Sequence, residues 1–116
     1  MTDTIFAKII RREIPATIVY EDDEVLGFKD IAPQAPIHVL FIPKREAIPT
    51  LDDVQPSQAH LIGKLALAAA QYARSEGFAQ NGYRIVMNCR GDAGQTVFLI
   101  HLHLLAGAPL GEFGAA

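Results

Sequence analysis

The longest apolar stretch of the chain runs from Val97 to Leu105, and two histidines, His101 and His103, interrupt it. A helix that crosses a membrane needs about 20 consecutive apolar residues, so this stretch is too short for that role. Its apolar and β-branched residues instead predict a long, buried β-strand over Thr96–Leu105. We therefore expect a core built on a sheet, and no membrane partner.

Side chains alternate across a strand, which sorts the residues of this segment into two sets. His101 and His103 share a face with Leu99 and lie roughly 6.5–7 Å apart along the strand. The other face would fill the core and holds Ile100, Leu102 and Leu104. Histidine titrates near neutral pH and gains little from an apolar setting, so the pair suggests chemistry. Two hydrogen-bonded core histidines are the alternative, and spacing alone does not choose between them.

The composition fits one folded domain that spans residues 1–116, because half of the residues are hydrophobic and 20% are charged. The formal net charge of −3 argues against nucleic acid as a partner, since proteins that bind it usually carry a basic excess. Cys89 is the single cysteine, so neither an internal disulfide nor a cysteine-rich zinc site can form. The first residues show no basic segment followed by an apolar core, so we expect no signal peptide and a cytoplasmic protein.

Local patterns predict two helices and five strands. The helices are a short one over Thr4–Arg12, capped by Asp3 or Thr4, and a long one over Ser57–Ser75, capped by Ser57. The strands are Thr17–Tyr20, Val25–Lys29, His38–Ile42, Arg84–Asn88 and Thr96–Leu105. Because strands mostly follow one another along the chain, we predict an α+β fold, an antiparallel sheet with helices against it. The small residues from about 110 to 116 predict a loose tail.

Other residues near the fifth strand add weaker signals. Asn88 and the loop Cys89–Gly94 could present amides to an anionic oxygen, although glycine and aspartate are also typical of an ordinary hairpin. His38 follows a proline-containing loop and could meet the face of the histidine pair, or lie at the surface. His60, in the first turn of the long helix, is interpreted as structural or exposed. The thiol of Cys89 is interpreted as inert, since no second cysteine can pair with it.

A more specific signal comes from short segments that follow one another in a fixed order along the chain. They are Thr4–Ile10, Glu13–Ala16, Tyr20–Asp23, Phe28–His38, Ile42–Lys44, Gly82–Arg84, Asn88 and the strand that holds His101. In these segments the chain resembles the histidine triad (HIT) superfamily, in its Hint branch of purine-nucleotide-binding phosphoramidases. The resemblance implies a domain around a five-stranded antiparallel sheet, and a homodimer in which the sheet is continuous.

The family signature, His-x-His-x-His followed by two apolar residues, implies a role for each matching residue. His101 would attack a nucleotide α-phosphate and carry a transient nucleotidyl group, and His103 would contact the phosphate and help to protonate the leaving amine. His38 matches a histidine that neighbours His103. The phosphate would be surrounded by Asn88, Gln95 and Thr96, the ribose held by Asp30, and the purine walled by Ile5, Phe6, Ile9, Phe28 and Ile31. The implied activity is hydrolysis of purine nucleoside 5′-phosphoramidates without a cofactor.

The chain departs from the family signature at its first histidine, which is replaced by Leu99. We expect weakened or altered catalysis, since a leucine side chain neither donates nor accepts a hydrogen bond. Some relatives bind structural zinc through Cys-x-x-Cys, but Thr4 and Ala7 stand at those positions, so we predict no metal. Two alternatives remain: a purine-nucleotide-binding module with little catalysis, or a related enzyme that hydrolyses dinucleoside polyphosphates or transfers nucleotides.

Overall fold

The computed structural model describes residues 3–112 of the chain. Its two helices are α1 (Ile5–Ile10) and α2 (Ala59–Ser75). Its five strands are β1 (Ile18–Glu21), β2 (Val25–Lys29), β3 (Ile37–Pro43), β4 (Arg84–Val86) and β5 (Leu102–Ala106). Short 3-10 turns lie at Leu51–Asp53, Pro56–Gln58 and Gly91–Ala93.

The strands form one sheet in the order β1-β2-β3-β5-β4, and every neighbouring pair is antiparallel. The predicted α+β fold with a five-stranded antiparallel sheet is thereby confirmed. In the register, His38 lies opposite Leu105, while Leu40 and Val86 lie on either side of His103. Residues that face each other across a ladder project to the same side, as do residues two apart on a strand. His38 and His103 therefore reach the same face of the sheet.

Two apolar clusters cover the opposite faces of the sheet, which we call the α2 face and the α1 face. The buried residues of the α2 face are Val25, Val39, Phe41, Ile48, Leu61, Leu65, Ala68, Ala69, Tyr72, Ile100, Leu102 and Leu104. Those of the α1 face are Phe6, Ile9, Leu26, Phe28, Leu40, Ile42 and Leu99. The alternation predicted for residues 99 to 104 is confirmed, because the even-numbered residues fill the core under α2 while Leu99 faces the other way.

Helix α1 is shorter than the predicted Thr4–Arg12. The hydroxyl of Thr4 accepts a hydrogen bond from the Ala7 amide at 3.0 Å, so Thr4 is the N-cap, one of the two predicted alternatives. Soon after the helix, Arg12 adopts a left-handed φ of 60°, which turns the chain away from the helical path. The residues that α1 buries are Phe6 and Ile9.

Helix α2 begins at Ala59, two residues later than predicted, and Ser57 is not its N-cap. Ser57 lies inside the 3-10 turn Pro56–Gln58, which leads into the helix. The side-chain oxygen of Gln58 accepts the Gln55 amide at 2.9 Å, so a glutamine closes this turn instead of the serine. The stripe that α2 buries is Leu61, Leu65, Ala68, Ala69, Tyr72 and Ala73.

Strand β5 begins at Leu102 and not at the predicted Thr96, so His101 lies just before the strand. The preceding backbone bonds to the segment before α2 instead of to a neighbouring strand: the Ile100 amide donates to the Ile48 carbonyl at 2.8 Å. Residues 99 and 100 are buried although they belong to no strand, which explains why they are apolar. Strand β4 also ends two residues earlier than predicted.

Within residues 3–112, no helix combines the length and the apolar character needed to cross a membrane. Residues 113–116 of the tail predicted to be loose lie outside the described residues. Just before them, the Gly111 carbonyl accepts a hydrogen bond from the Arg84 guanidinium at 2.9 Å, which ties that residue to β4. The looseness of the tail stays a prediction, and so does the homodimer.

Candidate active site

On the α1 face, most of the residues expected at the nucleotide site surround a cavity of about 360 Å³. Its apolar wall contains all five residues expected beside a purine: Ile5, Phe6, Ile9, Phe28 and Ile31. Its polar lining includes Asp30, Asn88, Thr96, His101 and His103. Segments far apart in sequence thus meet around one cavity, whose volume is typical of a small-molecule site.

His101 is buried, with 7% of its surface exposed, and its ring is held from two sides. Its Nδ1–H donates to the Leu99 carbonyl at 2.8 Å, because a carbonyl oxygen can only accept. The ring of Phe6 packs against it edge-on, with ring centroids 5.0 Å apart. Burial lowers the pKa of His101, which favours the neutral ring. In this tautomer Nε2 keeps its lone pair, as a nucleophile requires.

His38 and His103 are joined by a hydrogen bond whose direction is set by the backbone. The Gln34 amide donates to Nδ1 of His38 at 3.0 Å, so the proton of a neutral His38 is on Nε2. This Nε2–H donates to Nδ1 of His103 at 2.9 Å, which places the proton of His103 on its own Nε2. Within residues 3–112 that buried Nε2 has no hydrogen-bond partner. His103 therefore carries an unused N–H donor.

The electrostatic surroundings keep the three histidines of this face neutral. Burial lowers the pKa of His38, and burial together with the neighbouring His101 and His38 lowers the pKa of His103 to about 4. The Asp30 carboxylate acts in the opposite direction, since its negative charge favours imidazolium. At neutral pH the site therefore holds neutral rings with defined tautomers.

Asp30 follows β2 directly and is oriented by its neighbours. Its Oδ1 accepts the Ala32 amide at 2.8 Å, and its Oδ2 lies 3.5 Å from Nε2 of His38. Asp30, His38 and His103 offer possible metal-ligand atoms that all lie within 4.8 Å of one another. A metal would need the lone pair on Nε2 of His38, whereas the Gln34 amide fixes a proton there. The arrangement therefore favours a chain of hydrogen bonds over a metal centre.

Two of the expected site residues, Gln95 and His38, do not line this cavity. Gln95 is buried, and both hydrogens of its Nε2 donate to backbone carbonyls, those of Pro49 and Val97. In this arrangement the Gln95 side chain holds the loop before β5 and offers no unused donor, so a contact between Gln95 and a phosphate stays a prediction. His38 touches the site through its hydrogen bond to His103.

A family model described as the HIT domain matches residues 11–110. The chain belongs to the HIT family. It is 52% identical over 109 residues to a purine nucleoside phosphoramidase of Escherichia coli strain K12, which covers 94% of this chain and 91% of that protein. The predicted superfamily and its phosphoramidase branch are thereby confirmed.

Other HIT relatives extend this similarity. The chain is 46% identical over 105 residues to an adenylylsulfatase of Arabidopsis thaliana, which covers 90% of this chain and 71% of that protein. A solved structure of a histidine triad protein from Clostridium difficile matches with a TM-score of 0.93 and 40% identity, covering 97% of each chain. The predicted fold therefore agrees with a known HIT structure over nearly its whole length.

At the first position of the HIT signature, Leu99 is buried in the apolar cluster of the α1 face, with 3% of its surface exposed. Its side chain packs with hydrophobic neighbours, while its carbonyl accepts Nδ1–H of His101. The part of residue 99 that bonds to His101 is therefore main chain, which any residue at this position supplies.

Sequence reasoning missed two residues that shape this HIT site. Gln34 sets the tautomer of His38 through its main-chain amide, and such a contact leaves no pattern in the sequence. Arg84 reaches the α1 face because of the register between β4 and β5, which the sequence does not specify. His60, predicted to be structural or exposed, is exposed on α2.

Proposed function

We propose that this chain, a HIT-family nucleotide hydrolase, hydrolyses purine nucleoside 5′-phosphoramidates through a nucleotidyl group bound covalently to His101. The observation that carries the proposal is the tautomer of His101, a buried ring with Nδ1–H held by a carbonyl and with Nε2 free to attack. The similarity to relatives named as a purine nucleoside phosphoramidase and an adenylylsulfatase supports a reaction of this class.

The cavity offers a place for each part of a purine nucleotide. Phe6 and Phe28, whose ring centroids are 5.4 Å apart, belong to an apolar wall that suits a flat base. The Asp30 carboxylate can accept hydrogen bonds from ribose hydroxyls. The side chains of Asn88 and Thr96 can donate to phosphate oxygens. The nucleotide would then lie with its phosphate toward the histidines.

The reaction proceeds in two steps under this proposal. Nε2 of His101 first attacks the phosphorus, and the P–N bond breaks as the leaving nitrogen takes a proton from Nε2 of His103. The anionic phosphate favours the imidazolium form of His103, which supplies that proton. In that form Nδ1 of His103 also carries a proton, so the Nε2–H of His38 would turn from His103 to the Asp30 carboxylate, whose Oδ2 lies 3.5 Å from it. The charge on the modified His101 is stabilised by its Nδ1–H bond to the Leu99 carbonyl. A water molecule that gives its proton to His103 then attacks the phosphorus and releases the nucleotide and free His101.

Under this proposal, the activity with Leu99 is lower than it would be with the histidine of the family signature, but it is not abolished. Its carbonyl keeps the tautomer of His101, but its side chain contributes no polar group to the site. The same observation favours the second candidate function, a module that binds purine nucleotides and performs little chemistry.

Turnover of two substrate classes tests these alternatives. With the phosphoramidate of AMP and a primary amine, we expect the wild-type chain and a His60→Ala control to release AMP, and diadenosine tetraphosphate to be hydrolysed more slowly. Tight AMP binding without turnover would support the binding module. Faster turnover of the dinucleotide would support the polyphosphate hydrolase, and either result would contradict the proposal.

We also propose that two copies of the chain pair through β4 into a homodimer with a continuous sheet. Strand β4 is an edge strand of the sheet, so the backbone groups on its outer side are available to a second copy. Ile85 on this strand exposes 44% of its surface, and a partner would cover it. Sedimentation is expected to give twice the chain mass of 12.6 kDa, and a monomer at that mass would contradict the dimer.

A further inference from the structure

A second cavity, of about 270 Å³, adjoins the nucleotide cavity, and His103 and Asn88 line both. Its polar lining also includes Gln34, His38 and Arg84. None of the described residues that line it is acidic, so the Arg84 guanidinium gives it a positive charge. The cavity is therefore suited to a group that accepts hydrogen bonds and carries negative charge.

The register of the sheet places this cavity on the far side of His103 from His101. Arg84 lies opposite Leu105, and Leu105 follows His103 by two residues on the same face of β5. Successive residues on one face of a strand are about 6.5–7 Å apart. A molecule that extends from the phosphate past His103 thus runs toward Arg84.

Two buried side-chain nitrogens that have no hydrogen-bond partner within residues 3–112 both belong to this lining: Nη1 of Arg84 and Nε2 of His103. The other terminal nitrogen of Arg84 donates to the Gly111 carbonyl, which fixes the guanidinium in place. A buried charged donor without an acceptor is unfavourable, so the cavity is suited to an anionic acceptor.

We propose that this second cavity is a leaving-group subsite, and that Arg84 selects leaving amines that carry a carboxylate or a similar anion. This inference rests on the proposed phosphoramidate hydrolysis and names the substrate class for that site. In phosphoryl transfer the attacking and leaving atoms lie roughly in line, so attack from His101 sends the amine away from it, toward His103 and Arg84. The bond that forms is P–Nε2 of His101, the bond that breaks is P–N of the substrate, and the amine leaves with the proton from His103. Arg84 takes no part in these bonds and acts by binding.

A matched pair of substrates tests the subsite: the AMP phosphoramidates of β-alanine and of β-alaninamide, which have the same size but differ in charge. We expect the wild-type chain to have a higher kcat/KM for the β-alanine compound. Arg84→Met should lower kcat/KM for that compound by about 10- to 100-fold, as expected for loss of a hydrogen bond to a charged group. Its turnover of the β-alaninamide compound should stay within about twofold of wild type, and Arg84→Lys should restore part of the preference. Arg74→Met, at an exposed arginine on α2, is the control for loss of a surface charge.

Other outcomes overturn the inference in distinguishable ways. Equal loss with both substrates, a change in oligomeric state, or a lowered melting temperature shared by both Arg84 variants would assign Arg84 a structural role. If the wild-type chain hydrolyses neither compound, the proposed function fails, and calorimetric titration of the two intact compounds then decides about the subsite. A tighter binding of the β-alanine compound that Arg84→Met removes would support it, and equal affinities would overturn it.

Discussion

The two faces of the sheet use the same strands for different purposes. The α2 face is covered by a cluster of hydrophobic residues packed under the long helix. On the α1 face the hydrophobic cluster gives way to Asp30 and to three histidines, whose pKa values are lowered by burial. On β5 the contrast lies between neighbours, because Leu104 is fully buried under α2 while His103 lines the cavity of the α1 face.

The two-residue period of β5 thus divides one segment between the hydrophobic core and the candidate site. Under the proposed function, a side chain on the α2 face contributes mainly to stability, and a histidine on the α1 face contributes mainly to activity. Buried imidazoles are also unfavourable to protonate, so the α1 face makes the fold sensitive to acid. Variants on the two faces should therefore change different observables.

The largest expected effect is that of His101→Ala on turnover. Loss of the nucleophile should lower kcat for an AMP phosphoramidate by on the order of 10³-fold or more, since no other group forms the intermediate. The free energy of unfolding should change by much less than that loss of transition-state stabilisation. Parallel measurements of initial rates and urea unfolding check both points, and a variant with more than a tenth of wild-type kcat would contradict the assignment of His101.

On the α2 face, Leu65→Ala should reverse this pattern. Leu65 is fully buried in the core under α2, so its truncation should lower the free energy of unfolding by about 2–5 kcal/mol. At temperatures where the variant stays folded, kcat should remain close to wild type. The matched control is Leu51→Ala, at a leucine with 42% of its surface exposed, which should cost about 1 kcal/mol or less in urea unfolding. A large loss of kcat in folded Leu65→Ala would show that the faces are not separable.

Leu99→His tests the boundary between the two faces. A histidine here places a polar ring in an apolar cluster, which should lower the free energy of unfolding by about 1–3 kcal/mol. The carbonyl of residue 99 remains, so kcat should rise by less than about tenfold, far below the effect of losing His101. Leu99→Met, which conserves volume, is the control in the same unfolding and rate measurements. If the turnover rate instead rose by about two orders of magnitude, the side chain of residue 99, and not its carbonyl, would determine the reactivity of His101.

The last expected effect is the acid sensitivity of the fold. The pKa of His103 is about 4 in the folded chain, below its ordinary value of 6.5, so the unfolded chain binds more protons between these values. Stability should therefore fall as the pH decreases from 6.5 toward 4. His103→Gln should make this fall shallower in thermal unfolding followed by circular dichroism, with His60→Gln as the exposed control. If the pH dependence of stability were unchanged in His103→Gln, the lowered pKa assigned to the buried His103 would be contradicted.

Much of the fold can be predicted from local sequence patterns. Most of the residues that line the cavity can be predicted only from the resemblance to the HIT family. Alternation placed Leu102 and Leu104 correctly in the core, but it also extended β5 back to residue 96, where tertiary hydrogen bonds to the segment before α2 replace the ladder. The role of Gln95 could not be read from sequence, because an amide side chain suits a phosphate and a backbone carbonyl equally well. Arg84 was missed because its position depends on strand register.

Intact-protein mass spectrometry of a His103→Ala variant directly tests for the proposed covalent intermediate on His101. The imidazolide of AMP is the suitable probe, because its leaving group departs without a proton from His103, whereas release of the nucleotide from His101 would still lack its base. We expect one added nucleotidyl group per chain, mapped to His101 by peptide fragmentation and absent when His101 is also replaced by alanine. Hydrolysis of the probe with no adduct, or an adduct on His38 or another residue, would contradict it.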